Sequence, residues 1–113
     1  GKPNNLAYGA SKGAIGQITK SLSLELAPLN ISVNAVCPGT IDTPLTRDAL
    51  QRWGDKEFNG DFDRALEKEN AEFPVGRIGN ASEVADMIYF LAEKSTSFTT
   101  GSLFTIDGGY TAK

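Results

Sequence analysis

The sequence predicts an α/β fold in which this chain supplies part of a larger doubly wound parallel sheet. Its elements run in the order helix, strand, long connection, helix, strand. A strand–helix–strand crossover of this length joins parallel strands and is right-handed by default. Two parallel strands do not make a stable sheet alone, so we expect the 113 residues to form one partial domain.

The composition is that of a soluble globular chain, and it narrows the choice of partners. Hydrophobic residues make up 40% and charged residues 22% of the chain, which is ordinary. The net charge of -3 disfavours nucleic-acid and anionic membrane partners, because both select for concentrated Lys and Arg. No apolar run approaches the ~18 residues of a membrane span, and no signal peptide is visible. The lone Cys37 cannot form an internal disulfide, which favours a reducing, cytoplasmic location.

The chain contains no histidine, and this restricts its chemistry. Ser-His-Asp hydrolysis, Cys-His proteolysis and histidine metal sites all require that residue. We therefore expect no metal site. If the protein is an enzyme, its proton-transfer group must be Tyr, Lys, Asp, Glu or Cys.

A long helix is predicted first, beginning after Pro3 and ending near Leu26, before Pro28. At about 100° per residue, one stripe of it is mostly apolar: Tyr8, Lys12, Ile15, Thr19, Leu22 and Leu26. A neighbouring face carries three glycines: Gly9, Gly13 and Gly16. Each glycine costs a helix about 1 kcal/mol relative to Ala, so we expect a backbone or a ligand to approach this face closely.

A strand is predicted over residues 31–36, which the Cys37-Pro38-Gly39 sequence ends. Residues 40–73 are polar and are predicted to be irregular, with short helical patches near 47–53 and 63–72. Such a long connection is usually a lid, a binding loop or a disordered segment, and we assign residues 44–73 to a substrate loop or lid. Its aromatic side chains either close over a substrate or hold the loop on the core: Trp53, Phe58 and Phe62.

The rest of the chain predicts a second helix and a second strand. Residues 74–79 form a turn-rich approach, and Asn80 followed by Glu83 resembles a capping box. The helix that follows has an apolar face and should end near Lys94. After a loop, residues 103–106 are predicted as a strand and residues 107–109 as a turn.

Tyr8 and Lys12 carry the clearest chemistry, because residues four apart share a helix face. A free phenol has a pKa of about 10 and is a poor base at neutral pH. A neighbouring ammonium favours the phenolate by Coulomb attraction. Such a pair can take a proton from an alcohol or give one to a forming alkoxide, although the spacing alone also arises by chance.

Three further residues have two interpretations each. Cys37 is either a packed thiol at a strand end or a reactive one, and packing is favoured. Asp42 either accepts hydrogen bonds from turn amides or binds substrate. Arg77 either pairs with a carboxylate across the fold, which is favoured, or contacts substrate.

The sequence around the Tyr–Lys pair resembles one enzyme family. Tyr8-Gly9-Ala10-Ser11-Lys12 is similar to the active-site helix of the short-chain dehydrogenases/reductases. Residues 32–39 resemble the sixth strand of that family, and residues 38–43 match its Pro-Gly-x-x-x-Thr loop over the nicotinamide. Residues 74–85 resemble the approach to the penultimate helix, and residues 101–109 resemble the last strand and its turn. The resemblance spans nearly the whole chain in the right order.

The resemblance implies a role for each matching residue. Tyr8 would be the general acid/base beside the cofactor, and Lys12 would hold the nicotinamide ribose hydroxyls and favour the phenolate. The Ile41 backbone and the Thr43 hydroxyl would hold the carboxamide, and the Pro38-Gly39 dipeptide would shape the turn. Hydride would pass between the nicotinamide and the carbinol carbon of the substrate.

The resemblance covers the C-terminal half of such an enzyme. The glycine-rich strand–turn–helix for the pyrophosphate, the helical Asn of the proton relay and the catalytic Ser have no counterpart in these residues. We therefore expect the C-terminal part of a Rossmann domain, a piece of a longer protein that is inactive by itself. The residue that selects NAD or NADP would lie in the other half, so either cofactor is compatible.

The implied activity is hydride transfer between a nicotinamide cofactor and a secondary alcohol or ketone. Residues 37–45 look most like members that act on sugars, polyols or small hydroxy acids. A 3-oxoacyl thioester reductase is one alternative, and an inactive module that serves only subunit association is another. The family habit implies a homotetramer, with residues 107–113 near one contact. Another contact would use a small, fairly apolar strip of the first helix: Ala10, Ala14, Ile18 and Ser21.

Overall fold

The computed structural model describes residues 3–113, within which helices alternate with short strands. The element order is α1 (Leu6–Leu26), β1 (Ala35–Pro38), β2 (Ile41–Asp42), α2 (Pro44–Glu57), α3 (Phe62–Ala71), β3 (Gly79–Asn80), α4 (Ala81–Tyr89) and β4 (Leu103–Ile106). β1 pairs with β4, and β2 pairs with β3 in parallel. The predicted α/β class with parallel strands is therefore confirmed.

The described residues divide into two compact units. The first unit contains the residues through Val36 together with Ile88–Phe104. The second contains Cys37–Met87 together with Thr105–Lys113. Each unit has its own backbone and side-chain contacts. Some of the predicted site residues belong to the first unit and the others to the second.

α1, in the first unit, ends where the sequence predicts. Pro28 lies in a short 3-10 turn after the helix, and Asn30 has a left-handed φ of 59°. This conformation lets the Ile31 N–H reach back to the Leu26 carbonyl at 3.2 Å, which satisfies one of the last free carbonyls of the helix. α1 has 21 residues, yet no helix within residues 3–113 is long and apolar enough to cross a membrane.

The buried side of α1 shares only Thr19 fully with the stripe that its periodicity predicts. Thr19 and Ser23 are the buried residues of this helix, and both hydroxyls donate to carbonyls of the preceding turn. A Cβ on Gly16 would lie 3.5 Å from the Leu103 side chain, and one on Gly101 would lie 2.8 Å from the Ser23 hydroxyl. Three apolar members of the predicted stripe stay exposed, Tyr8, Ile15 and Leu22, and Leu26 is half-buried. The contact with residues 101–103 therefore selects the buried face.

β1 starts later than the predicted strand because side chains satisfy the backbone before it. The Val33 N–H donates to the Thr100 hydroxyl at 3.0 Å. The Asn34 side chain donates to the Thr99 carbonyl at 2.8 Å and accepts from the Ser102 N–H at 3.1 Å. These bonds replace ladder bonds, so regular pairing begins only after Asn34.

Residues 40–73, in the second unit, contain two regular helices, so the predicted irregular connection was wrong. Thr43 caps α2, since its hydroxyl accepts from the Thr46 N–H at 3.2 Å. Asp61 caps α3 in the same way, accepting from the Arg64 N–H at 3.1 Å. α3 matches its predicted patch within one residue. α2 begins earlier than its patch, directly after the Thr43 cap, and also ends later, at Glu57.

α2 and α3 pack together as a helical hairpin. Gly54 permits this packing, because a Cβ there would lie 2.9 Å from the Asp61 carbonyl oxygen. Three apolar side chains of this unit are buried: Leu50, Ala65 and Phe73. Residues 44–73 are therefore an ordered element, and their role as a lid stays a prediction.

β2 and β3 are two-residue strands that the sequence does not reveal. Ile41 lies opposite Gly79, and Asp42 lies opposite Asn80. The Gly79 N–H also donates to the Thr40 carbonyl at 2.9 Å. Two residues are too few to show an alternating pattern, so only the pairing identifies these strands.

The elements after residue 80 agree with the sequence. The Asn80 N–H donates to the Glu83 carboxylate at 2.7 Å, which is the backbone half of the predicted capping box. α4 continues through a π-helical turn, Phe90–Lys94, so its predicted end is confirmed. β4 has the predicted bounds.

Candidate active site

α1 brings Tyr8 and Lys12 together, as their spacing predicts. The Lys12 Nζ lies 5.4 Å from the centroid of the Tyr8 ring, within the range of a cation–π contact. Tyr8 is 59% exposed, and Lys12 is exposed as well, so the lysine does not lie on a buried stripe. An exposed phenol beside an ammonium is placed to exchange a proton with a bound alcohol.

The glycine face beside this pair is open at its first two positions. A Cβ on Gly9 or Gly13 would meet nothing within 4 Å among the described residues. Of the three glycines, Gly16 alone has a described neighbour, because a Cβ there would lie 3.5 Å from the Leu103 side chain. Within the first unit, the predicted close approach of a backbone is therefore not found.

The remaining predicted site residues lie in the second unit, beginning at the end of β1. β1 ends at Pro38, and the Gly39 N–H donates to the Ile106 carbonyl at 3.0 Å. A Cβ on Gly39 would lie 3.1 Å from the Asp107 Cα and 3.1 Å from the Phe73 ring. The close packing of this turn therefore explains the glycine.

Ile41 and Thr43 follow on β2 and at the start of α2. The Thr43 hydroxyl accepts from the Thr46 N–H and donates to the Thr46 hydroxyl, each at 3.2 Å. A hydroxyl can rotate to a different acceptor, so Thr43 can serve a ligand amide. Tyr8 and Lys12 belong to the first unit, and the other candidates to the second: Pro38, Gly39, Ile41 and Thr43.

Asp42 binds an arginine side chain, which neither interpretation of this residue anticipates. The Arg47 Nε donates to Asp42 Oδ1 at 2.8 Å, and the Nη2 donates to Oδ2 at 2.9 Å. These bonds hold the pKa of the Asp42 carboxyl below its usual range. No motif or periodicity in the sequence singles out Arg47, because it follows Asp42 by five residues.

Arg77 pairs with a carboxylate, which is the favoured interpretation. The partner is Glu83, six residues later in the sequence, and not a residue across the fold. Its Nη1 and Nη2 donate to the two carboxylate oxygens of Glu83 at 2.9 and 2.7 Å. Glu83 also accepts from the Asn80 N–H. The Arg77 bonds first, and the Asn80 bond second, lower the pKa of Glu83 to about 2.

This low pKa predicts a pH-dependent contribution to stability. Because the folded-state pKa of Glu83 is about 2, against 4.5 unperturbed, the contribution is present above pH 4.5 and is lost as pH falls towards 2. The Arg77 and Glu83 side chains are 51% and 40% exposed, so solvent screens the pair and its contribution is small. Glu83→Gln should therefore lower the thermal midpoint at pH 7 only slightly, and the difference from wild type should shrink over that window. Glu67→Gln, at an exposed position of α3, is the control. Parallel pH profiles for wild type and Glu83→Gln would contradict the assignment.

Two cavities open in the second unit. One of about 160 Å³ lies beside the end of β1, where Gly39, Phe73 and Asp107 line it. The other, of about 230 Å³, lies beside α2 and α3. Its lining residues include Asp42, Arg47, Leu50, Phe62 and Arg77. Asp42 and Arg47 pair with each other, and Arg77 pairs with Glu83, so no unpaired charge among these side chains faces the larger space.

Trp53, Phe58 and Phe62 do not form one cluster. The rings of Trp53 and Phe58 make an edge contact at 5.4 Å, and the Trp53 Nε1–H donates to the Glu57 carboxylate at 2.9 Å. Phe62 instead lines the larger cavity. Of Trp53, Phe58 and Phe62, only Phe62 is therefore among the lining residues of these two cavities.

Asp107 stabilises the predicted turn. Its carboxylate accepts from the Thr111 hydroxyl at 2.7 Å, the Thr111 N–H at 2.9 Å and the Gly109 N–H at 3.0 Å. The Thr111 bonds, above all, lower the pKa of Asp107. The turn is confirmed, whereas a subunit contact in this region stays a prediction.

Cys37 is a free, partly exposed thiol, so its burial does not decide between packing and reactivity.

Within residues 3–113, no group of three or more cysteine and carboxylate side chains is arranged to hold a metal. The structure shows an α/β protein with parallel strand pairing and an exposed Tyr–Lys pair.

Comparison with known proteins identifies the family. A family model described as enoyl-(acyl carrier protein) reductase matches residues 1–111. A short chain dehydrogenase family protein from Francisella tularensis subsp. tularensis SCHU S4 is 49% identical, with a TM-score of 0.93 over 100% of this chain and 46% of its own. A tropinone reductase homolog from Arabidopsis thaliana is 40% identical over 108 residues, which are 96% of this chain and 37% of its own.

Two further solved structures of sugar dehydrogenases or reductases are similar to this chain. A C-terminal deletion mutant of Thermoplasma acidophilum aldohexose dehydrogenase is 40% identical, with a TM-score of 0.86 over 97% of this chain and 47% of its own. L-sorbose reductase from Gluconobacter frateurii, complexed with NADPH and L-sorbose, is 29% identical, with a TM-score of 0.85 over 94% of this chain and 40% of its own.

The chain belongs to the short-chain dehydrogenase/reductase family. It spans less than half the length of each relative named above.

Proposed function

We propose that the protein carrying this chain transfers a hydride between a nicotinamide cofactor and a secondary alcohol or its ketone. The observation that carries the proposal is the exposed pair on α1, where Lys12 Nζ lies 5.4 Å from the Tyr8 ring. Oxidation of an alcohol releases a proton as well as a hydride. Tyr8 accepts that proton, and Lys12 favours the charged phenolate while it holds the cofactor ribose.

The residues present fit a nicotinamide cofactor by their chemistry. An ammonium and a phenol can both donate to ribose hydroxyls, and the Thr43 hydroxyl with the β2 backbone offers donors and acceptors to a carboxamide. Gly39, where a Cβ would lie only 3.1 Å from Asp107 and from the Phe73 ring, keeps the turn free of a side chain. The cofactor supplies the hydride chemistry, and the chain supplies the proton transfer and the positioning.

The proposed substrate is a sugar, polyol or small hydroxy acid. The names of the aldohexose dehydrogenase and the L-sorbose reductase support the sugar class. The description of the family model names an enoyl-(acyl carrier protein) reductase, which acts on an acyl thioester at a carbon–carbon double bond and so shares only the thioester with the alternative substrate, a 3-oxoacyl thioester. NADPH in the L-sorbose reductase makes NADP the first cofactor to test, with NAD second. A cytoplasmic location, favoured by the single cysteine, is part of the proposal.

Absorbance of the reduced cofactor tests this proposal. The protein that carries this chain is assayed with NADPH and NADH against ketoses, 2-oxo acids and a 3-oxoacyl thioester. Turnover with a ketose or an oxo acid supports the proposed class, and turnover with the thioester alone supports the alternative. No hydride transfer with any of them contradicts the proposed activity and favours the inactive association module.

Residues 44–73 are expected to exchange hydrogen fastest in the absence of ligands and to slow when cofactor and substrate bind. The segment contains three buried apolar side chains, Leu50, Ala65 and Phe73, but most of its other residues are exposed. The expectation therefore rests on the length and polarity of the segment, which are typical of a lid. Hydrogen exchange followed by mass spectrometry measures this, and β4 serves as the internal reference. Equal protection of residues 44–73 with and without ligands would exclude a lid.

The protein is expected to be a homotetramer in which the strip defined by Ala10, Ala14, Ile18 and Ser21 contributes to one contact. Ile18 is 54% exposed, and a small, apolar surface of this kind is favourable to cover. Light scattering should give a tetramer mass for wild type and a smaller mass for Ala14→Arg. Glu67→Arg, at an exposed position of α3, should leave the mass unchanged. A monomeric wild type would refute the assembly, and a tetrameric Ala14→Arg variant would refute this face.

A further inference from the structure

Arg47 contacts three elements of the second unit. It lies near the start of α2, and its guanidinium binds the Asp42 carboxylate of β2 through two hydrogen bonds of 2.8 and 2.9 Å. The same guanidinium lies 5.8 Å from the centroid of the Phe62 ring, and Phe62 is the first residue of α3. One side chain therefore joins β2 to both helices of the hairpin.

Thr43 lies between the two partners of this ion pair. Its carbonyl accepts from the Arg47 N–H at 2.9 Å, and its hydroxyl accepts from the Thr46 N–H at 3.2 Å. The Asp42–Arg47 pair thus closes a short ring of chain around Thr43. The direction in which the Thr43 hydroxyl points depends on how α2 leaves β2, and the ion pair links the first turn of α2 to β2 across that junction.

Because the Asp42–Arg47 pair is exposed, we assign it a role in orienting the chain rather than in stabilising the fold. The side chains of Arg47 and Asp42 are 58% and 33% exposed, and exposed ion pairs contribute little net stability. The planar guanidinium can still bind both carboxylate oxygens at once and stack on a ring, which the ammonium of lysine cannot do. The specific feature of Arg47 is therefore its geometry.

We propose that Arg47 is a positioning residue that holds the Thr43 hydroxyl and the α2–α3 hairpin in place through Asp42 and Phe62. The proposal rests on the proposed function, in which Thr43 binds the nicotinamide carboxamide. Loss of the bidentate bond lets the first turn of α2 shift, so cofactor affinity falls while the proton transfer at Tyr8 continues.

Arg47→Lys in the protein that carries this chain tests the proposal kinetically. The Michaelis constant for the cofactor should rise about tenfold, and kcat should change less than about twofold. Arg52→Lys, at an exposed position of the same helix, makes the same chemical change and should alter neither. Thermal midpoints of both variants should stay close to wild type, because the pair is exposed.

A double-mutant cycle separates positioning from a direct contact with the cofactor. Asp42→Asn alone should raise the Michaelis constant for the cofactor as Arg47→Lys does. The double variant should be no worse than the worse single variant, since both changes break one bond. Additive effects of the two changes would overturn the proposal and indicate that Arg47 meets the ligand itself.

Hydrogen exchange gives a measurement that does not need activity. The Thr46 N–H, which donates to the Thr43 hydroxyl, should exchange about tenfold faster in Arg47→Lys than in wild type or Arg52→Lys. Equal exchange in the three proteins would overturn the positioning role. A wild type without hydride transfer would contradict the proposed function, and the exchange at Thr46 would still decide the role of Arg47.

Discussion

Tyr8→Phe should reduce turnover by about two to four orders of magnitude while cofactor affinity changes little. Phe retains the ring beside Lys12, whose Nζ lies 5.4 Å from the ring centroid, and deletes only the hydroxyl that moves the proton. General acid–base groups contribute rate factors of about 10²–10⁴. The absorbance of the reduced cofactor gives kcat. A fluorescence titration gives the dissociation constant of the cofactor.

Tyr89→Phe is the matched control for this change. Tyr89 lies on α4 and is 59% exposed, the same fraction as Tyr8, so the two substitutions remove equally accessible hydroxyls. The control should retain wild-type turnover. Substantial residual activity in Tyr8→Phe would remove Tyr8 from the proton-transfer role.

Lys12→Ala should weaken cofactor binding and reduce turnover together. The ammonium is assigned two tasks, holding the ribose hydroxyls and favouring the Tyr8 phenolate, and a methyl group performs neither. A hydrogen bond from a charged donor is worth about 1.5–3 kcal/mol, which corresponds to a cofactor dissociation constant raised by about one to two orders of magnitude. Fluorescence titration measures the affinity, and steady-state kinetics measure the rate.

Lys20→Ala controls for the loss of a positive charge on the same helix. Lys20 is an exposed residue of α1 outside the candidate site. It should leave both cofactor affinity and kcat near wild type. Unchanged cofactor affinity in Lys12→Ala would contradict the ribose contact, even if turnover fell.

The local elements could be predicted because their signals lie within a few residues. Pro28 and Asn30 end α1, and the Asn80–Glu83 spacing starts α4 through a bond of 2.7 Å. Each of these signals depends on backbone geometry that adjacent residues impose. For the same reason the Tyr8–Lys12 pair follows from helix spacing alone.

The predictions that failed depended on neighbours distant in the chain. The buried face of α1 is set by residues 101–103, which contact Gly16 and Ser23, whereas periodicity only identifies an apolar stripe. The polar composition of residues 40–73 indicated irregular structure, yet capped helices that pack on one another are stable with few apolar residues.

The sequence by itself determined the α/β class, the helices α1 and α4 and the proximity of Tyr8 and Lys12 on α1, because periodicity and capping are local properties of the chain. Only the tertiary structure decided that β2 pairs with β3 and that Arg47 joins Asp42 to Phe62. A two-residue strand has no pattern of its own, and the reach of a guanidinium across two elements depends on the angle between them. These interactions exist only once the hairpin of α2 and α3 has packed beside β2.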